Sequence, residues 1–195
     1  MSQIVVALKY KNLCQYLSQH DYQSADIETR ILLLKAAGQM KRGWLDDKVD
    51  IPMIPDIDIL ILDRLWQKYS NLHFGFSTQS RILKSIPSKI DIHDDELYLY
   101  FSMLVGWWIS EDYPVYETLF TPNRYDFNSN KLDVNSGRWL EYHELNFSKH
   151  SPRGHLPIPE DSGVLLALLA KFEEISNLQQ NKVTFDIKYD FQEIV

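Results

Sequence analysis

Residues 55–69 read PDIDILILDRLWQKY, and this stretch decides the fold. Pro55 suits a helix start, and Asp56 and Asp58 fall in the first turn, where acidic side chains complement the helix dipole. Apolar residues then recur on nearly every side of the helical wheel, which is typical of a helix buried on most of its surface. We therefore predict a mostly helical fold with this helix at its centre.

Apolar residues at helical spacing also precede this stretch. A helix is predicted from about Ser24 to Met40, with Ser24 as its N-cap. We expect its buried stripe to be formed by residues four and three positions apart: Ile27, Ile31 and Leu34. A shorter helix is predicted before it from a similar stripe: Tyr10, Leu13 and Leu17.

Three further helices are predicted after the central one. The first follows the turn Phe74–Gly75–Phe76 and runs from Ser77, its N-cap, to Leu83, while the second starts at Asp94 and the third near Ser162. Residues 106–137 show no clear hydrophobic periodicity, which predicts a long loop. Residues 138–147 are predicted to form a short secondary-structure element, and the pattern does not decide between helix and strand. Strict alternation of apolar residues over 183–191 predicts a short strand or an extended tail.

Composition narrows the classes of function. The chain has 195 residues, a mass of 23.0 kDa and a formal net charge of -7, so it suits one domain and lacks the basic face of a nucleic-acid binder. Its single cysteine, Cys14, excludes an internal disulfide, and we expect it to be a small buried hydrophobe. The apolar run over 163–170 is too short to span a bilayer. Residues 1–8 lack the features of a secretory leader, so we expect the protein to stay where it is made.

Catalytic and metal-binding patterns are weak. The six histidines match no common metal spacing, and the chain has no nucleophile elbow, phosphate-binding loop or dinucleotide fingerprint. His143, His150 and His155 fall in one stretch, but we interpret them as loop histidines rather than as ligands of a catalytic metal. We therefore predict that the protein is not an enzyme and has no covalent cofactor.

The aromatic residues are more informative, because several fall beside loops: Trp44, Phe74, Phe76, Trp107, Trp108 and Trp139. Core packing explains any one of them singly. Together they could line an apolar cleft for a flat ligand, since ligand pockets are mainly apolar with a few polar anchors. Candidate anchors are basic residues that are otherwise solvated surface charges: Arg81, Lys84, Arg138 and Arg153.

A series of sequence blocks spans about residues 8–160: Tyr10-x-x-Leu13-x-x-x-Leu17, Asp21-Tyr22-x-x-Ala25-Asp26-x-x-Thr29, Gly43-Trp44-Leu45, Asp63-Arg64-Leu65-Trp66-Gln67-Lys68-Tyr69-Ser70, Phe74-Gly75-Phe76-Ser77-x-Gln79, Val105-Gly106-Trp107 and Pro152-Arg153-Gly154-His155-Leu156-Pro157. In this order, the blocks resemble the genomes uncoupled 4 family. The resemblance implies an all-α, cupped multi-helix domain over 8–160 with long pocket loops, and we expect residues 161–195 to add a C-terminal helix and an extended tail packed on it.

The resemblance also implies a function. Members of this family bind protoporphyrin IX and Mg-protoporphyrin IX, and they stimulate magnesium chelatase in chlorophyll synthesis through its large porphyrin-binding subunit. They are found in plastids and cyanobacteria, and we expect this chain in the chloroplast stroma or the cyanobacterial cytoplasm. We further expect a monomer, with peripheral membrane association left open. A divergent helical paralogue that acts as an interaction module or binds an open-chain bilin is the alternative.

The family's pocket loops correspond here to residues 74–79 and 107–157. They make ten residues candidates for porphyrin binding: Phe74, Phe76, Gln79, Trp107, Trp108, Arg138, Trp139, Arg153, His155 and Leu156. Aromatic rings would stack on the macrocycle, and guanidinium groups would pair with its two propionates. Within its turn, His155 is expected to hydrogen-bond the backbone rather than ligate a metal.

Overall fold

A computed structural model describes residues 8–86, 94–110, 137–159 and 161–181. This part of the chain forms seven helices: α1 (Lys11–Ser18), α2 (Tyr22–Ala36), α3 (Asp50–Met53), α4 (Asp56–Ser70), α5 (Phe76–Ser85), α6 (Asp94–Val105) and α7 (Ser162–Asn181). Two short strands, β1 (Trp108–Ser110) and β2 (Gly137–Trp139), pair antiparallel with Trp108 opposite Trp139, and a 3-10 turn follows at Tyr142–Glu144. Most of the predicted loop, at 111–136, and the alternating stretch 183–191 lie outside the described residues.

Helix α4 lies at the centre of the fold, as its sequence predicts. It contacts α1, α2 and α7, and Ile59, Leu62 and Trp66 are almost completely buried. The indole Nε1 of Trp66 donates a hydrogen bond to Thr29 Oγ1 in α2 at 3.0 Å, so the largest core side chain also has its polar atom satisfied. The all-α expectation is therefore confirmed, with one small sheet added to it.

Helix α5 begins two residues earlier than predicted, when the N-caps are compared. Its N-cap is Gly75, whose φ of +112° is a conformation that side chains rarely adopt. The capping acceptor comes from another helix, because Asp63 Oδ1 in α4 accepts a hydrogen bond from Ser77 N at 2.8 Å. Gln67, one turn further along α4, donates to Thr78 Oγ1 at 2.9 Å. The acid and amide of α4 thus hold the Phe-Gly-Phe-Ser turn against the core.

Helix α2 differs from its prediction at both ends. Asp21, not Ser24, is the N-cap, and its carboxylate accepts a hydrogen bond from Ser24 N at 3.1 Å. The helix ends at Ala36 rather than Met40, because Gly38 takes a left-handed conformation with φ of +73°. The predicted N-cap was therefore wrong by three residues and the predicted end by four.

Helix α7 extends the same hydrophobic core. Leu165, Leu168 and Leu169 are buried on its inner face, as the spacing predicts, and the helix contacts α3, α4 and α5. The ammonium of Lys171 donates to the carbonyl of Pro52 at 2.8 Å and so satisfies a free carbonyl at the end of α3. None of the helices in the described ranges has the length and apolarity that a bilayer span requires.

Candidate ligand-binding groove

An open groove of about 620 Å³ lies between α2 and the segment that contains β2 and the 3-10 turn. Its volume is in the range of small-molecule sites, roughly 300–1,000 Å³. Its walls are mainly aliphatic and aromatic, with an acidic and a basic residue among them: Asp26, Ile27, Arg30, Ile31, Leu34, Gly43, Tyr98, Trp107, Trp139, Leu140, Tyr142, Leu145, Ile158 and Pro159.

One wall of the groove is the outer face of α2. Ile27, Ile31 and Leu34 all line the groove, but only Leu34 is also buried in the core, as the pattern predicts, whereas the Ile27 side chain remains 48% exposed. The core face of this helix is formed by different residues, including Ala25 and Leu32. Helix α2 is therefore apolar on two faces, and among the described helices the neighbours cover only one of them.

The opposite wall is aromatic. The ring of Tyr98 in α6 stacks on Trp139 in β2 with centroids 5.0 Å apart and planes at 22°, and Trp139 meets the edge of Trp108 at 5.1 Å. Trp107 is nearly buried, and its Nε1 donates to His155 O at 2.9 Å. The short sheet fixes this cluster, because its register places Trp108 and Trp139 opposite each other. Trp139 stays 41% exposed at the groove and can offer a ring face to a planar molecule.

Asp26 is the buried acid of the groove. Its side chain is only 5% exposed, yet both oxygens accept hydrogen bonds: Oδ2 from the phenol of Tyr142 at 3.0 Å and Oδ1 from Ile158 N at 2.7 Å. Burial raises the pKa of this carboxyl to about 7, although the two hydrogen bonds and Arg30 act in the opposite direction. The same contact raises the pKa of Tyr142, for which burial is the larger cause.

Arg30 is the basic residue among those that line the groove, and it lies one turn after Asp26 on α2. Its guanidinium is exposed and donates to Gly43 O at 3.2 Å. Among the described lining residues, Arg30 is the one with a permanent positive charge. It is therefore placed to pair with an acidic group on a ligand whose apolar body lies against Ile27 and Ile31.

The ten residues predicted as porphyrin contacts fall into three groups. Trp107 and Trp139 line the groove, and Trp108 packs on Trp139 behind it. Five are buried in the core and do not line the groove: Phe74, Phe76, Gln79, His155 and Leu156. In this arrangement these five side chains contribute to core packing and hydrogen bonding, and their contact with a porphyrin stays a prediction.

Arg138 and Arg153 form the third group, and neither lines the groove. Arg138 makes two hydrogen bonds of 2.6 Å with the carboxylate of Glu144, and these bonds lower the pKa of Glu144 to about 2. Arg153 donates to Leu72 O at 3.1 Å. The other two anchor candidates are also held elsewhere, Arg81 by Ser77 O of its own helix and Lys84 by Glu173.

His155 behaves as the turn pattern predicts. Its Nδ1 lies 2.6 Å from Val105 O, so this nitrogen carries the proton and donates it to the carbonyl. Burial lowers the pKa of the imidazole, which favours the neutral ring. His143 and His150 are exposed, and the described residues contain no group of three or more side chains that could hold a metal ion.

Sequence reasoning missed most of the α2 wall and the two residues that close the groove, Tyr142 and Ile158. One signal was available in the pattern of α2, where Tyr22, Ala25, Leu32 and Leu33 already provide a core-facing stripe. A second apolar stripe on the same helix, at Ile27 and Ile31, is more than one packed face needs. Such a surplus indicates either a further packing partner or a pocket.

Comparison with known proteins identifies similar chains. A family model described as GUN4-like matches residues 4–169. The uncharacterized protein ycf53 of Pyropia yezoensis is 28% identical over 153 residues, which make up 77% of this chain and 50% of that protein, so the chain spans about half the length of this relative. A protein of Arabidopsis thaliana named tetrapyrrole-binding protein, chloroplastic, is 35% identical over 69 residues, 34% of this chain and 26% of that protein.

Solved structures agree with the fold. The structure of GUN4 from Chlamydomonas reinhardtii superimposes with a TM-score of 0.58 at 24% identity, and the match covers 84% of this chain and 89% of that one. The likeness confirms the helical architecture predicted from the sequence.

Proposed function

The chain belongs to the GUN4-like family, and on that premise we propose that its groove binds a tetrapyrrole, either protoporphyrin IX or Mg-protoporphyrin IX. The observation that carries the proposal is the groove itself, with an aliphatic wall on α2 facing an aromatic wall around Trp139. A relative in Arabidopsis thaliana carries the name of a tetrapyrrole-binding protein, and its chloroplastic location agrees with a plastid or cyanobacterial setting for this chain.

The two walls suit the two faces of a planar macrocycle. Ile27 and Ile31 would cover one face by dispersion contacts, and the exposed ring of Trp139, supported by Tyr98, would stack on the other. Half-exposed apolar side chains such as Ile27 lose their remaining water contacts when such a ligand binds. This loss supplies the hydrophobic part of the affinity, on the order of 25 cal/mol for each Å² covered.

Arg30 would fix the orientation of the ligand. A porphyrin carries two propionates on one edge, and a guanidinium can pair with a carboxylate through two parallel hydrogen bonds. This assignment differs from the sequence prediction, which gave the role to Arg138 and Arg153. In the fold those two residues hold Glu144 and the carbonyl of Leu72, and neither lines the groove.

Titration of the protein with deuteroporphyrin IX, a soluble protoporphyrin analogue, tests the proposal. Binding should quench tryptophan fluorescence with a Kd in the micromolar range or tighter, which corresponds to about -8 kcal/mol or better. Arg30→Ala should weaken binding about tenfold, since a hydrogen bond to a charged group contributes about 1.5–3 kcal/mol. Trp139→Ala should weaken it by a similar factor.

Arg153→Ala is the matched control, because it removes the same side chain from an exposed site outside the groove. It should leave the Kd within twofold of the wild type. Absence of quenching at tens of micromolar ligand would refute tetrapyrrole binding, and a large loss with Arg153→Ala but none with Arg30→Ala would refute the position of the site.

We propose further that the protein is a non-catalytic regulator of magnesium chelatase that contacts its large porphyrin-binding subunit. A pull-down of that subunit, with and without deuteroporphyrin IX, tests this role. Capture that depends on the ligand supports a porphyrin-dependent regulator. Capture that is equal without ligand supports the alternative of a helical interaction module.

A further inference from the structure

The carboxyl of Asp26 connects three parts of the chain that are distant in sequence. It lies on α2 and accepts hydrogen bonds from Tyr142, 116 residues later, and from the backbone of Ile158, 132 residues later. Tyr142 and Ile158 belong to different segments of the chain, and both line the groove together with Asp26. One buried side chain therefore sets the distance between α2 and the two segments that close the groove.

An ionised carboxyl group is energetically unfavourable at this position. Asp26 is buried among apolar lining residues such as Ile27, Leu145 and Ile158, where a charge loses most of its hydration. An amide could accept the hydrogen bond from Ile158 N and donate one to the phenol oxygen of Tyr142 without this penalty. A buried acid that is difficult to ionise and lines a ligand-sized groove is typical of a functional position.

We propose that Asp26 is a positioning residue of the groove, which fastens its two closing segments to α2 and couples the binding of an acidic ligand to the uptake of a proton. This inference rests on the proposed function, because it concerns the ligand of the same groove.

The coupling follows from the charges around Asp26. Within the described part of the chain, the groups that face its carboxyl are Arg30 on its own helix, the phenol of Tyr142 in the 3-10 turn and the peptide N–H of Ile158. A ligand carboxylate that pairs with Arg30 adds negative charge near Asp26 and withdraws the positive charge that favours its ionised form. A macrocycle over the groove also removes water from the site.

All three changes favour the protonated form of Asp26. Since the pKa of Asp26 in the ligand-free protein is already about 7, the bound protein takes up a proton when it forms near neutral pH. By reciprocity, the affinity for the acidic ligand falls as the pH rises above about 7. An increase of the pKa by half a unit to one unit on binding corresponds to a decrease in affinity of about three- to tenfold.

The test compares the full-length wild type with three variants. Asp26→Asn keeps an acceptor for Ile158 N and a partner for Tyr142 but cannot titrate. Tyr142→Phe keeps the ring and removes one of the two hydrogen bonds. Asp21→Asn is the matched control, because it makes the same substitution at the exposed N-cap of α2, where Asn caps equally well.

The Kd for deuteroporphyrin IX is measured from pH 6.5 to 8.5, and the heat of binding is measured at pH 7.5 in phosphate and in Tris, whose ionisation enthalpies differ. Wild type and Asp21→Asn should lose about two- to sixfold in affinity over this range, because the pH interval covers most but not all of the transition. They should also take up a fraction of a proton on binding. Asp26→Asn should show a flat profile and equal heats in both buffers, whereas Tyr142→Phe should bind more weakly while keeping the slope with pH.

The outcomes separate this inference from the proposed function. The proton coupling is overturned if the wild type binds with a pH-independent Kd, or if Asp26→Asn keeps the wild-type dependence of Kd on pH. Tetrapyrrole binding stands in both cases. Unchanged affinity of Tyr142→Phe overturns the positioning role. Wild type that fails to bind at every pH overturns the proposed function and this inference together.

Discussion

Asp26→Asn should make the protein more stable at pH 8, although it alters a residue with two good hydrogen bonds. The folded state holds the Asp26 proton up to about pH 7, whereas an unperturbed aspartate releases it near 3.8. Between these values the folded state binds more protons than the unfolded state, so the wild-type free energy of unfolding falls as the pH rises from about 4 to about 7. Above pH 7 this loss is complete.

The size of the effect follows from the two pKa values. A difference of roughly three units at about 1.4 kcal/mol each gives a penalty of about 4 kcal/mol above pH 7, as an upper value. Because Asn carries no charge, the variant avoids the penalty. The stability of Asp26→Asn relative to wild type should therefore increase by about 1.4 kcal/mol per pH unit between pH 4 and 7 and then level off.

Urea unfolding, followed by tryptophan fluorescence at pH 5, 6, 7 and 8, measures this difference directly. The slope with pH identifies the cause, because a change in packing alone would shift stability equally at every pH. Asp21→Asn should stay within a few tenths of a kcal/mol of the wild type throughout. A constant difference between Asp26→Asn and wild type, or a variant that is less stable at pH 8, would refute the reasoning.

Two further predictions concern the scaffold that positions the groove. Gly75→Ala should destabilise the protein by at least about 2 kcal/mol in the same urea assay. At the Gly75 φ of +112°, an added Cβ would lie 2.8 Å from both Asp63 Oδ1 and Gln67 Nε2. A loss of less than about 0.5 kcal/mol would contradict this close approach. Trp66→Ala should cost about 3–5 kcal/mol, whereas Trp44→Ala, at a half-exposed site, should cost far less; similar losses for both would show that Trp66 is not the central core residue.

The central part of the fold could be predicted from local sequence. Residues 55–69 place apolar side chains around a whole helix, and a helix of that kind is stable only inside a core. Cys14 is buried as a small hydrophobe, and Gly75 forms the sharp turn between two aromatic residues. These features depend on spacing and on backbone conformation within a few residues, which the sequence states directly.

The helix starts were harder to predict, because a cap can come from a distant part of the chain. Ser77 has the right type for an N-cap, but the acceptor that stabilises the start of α5 is Asp63, 14 residues earlier on another helix. The prediction of Ser24 as N-cap was wrong for a local reason. Asp21 is the N-cap instead, and its carboxylate accepts the hydrogen bond from the backbone N–H of Ser24.

The sequence by itself determined six of the seven helices that the structure describes, all but the short α3, and that the core forms around α4. Only the tertiary structure decided which apolar face of α2 no described helix covers and which residues stand across the groove from it. Periodicity shows that a helix face is apolar, but it contains no information about the element that covers it. Asp26, Tyr142 and Ile158 meet because long-range packing brings together residues more than a hundred positions apart, and that packing makes the groove.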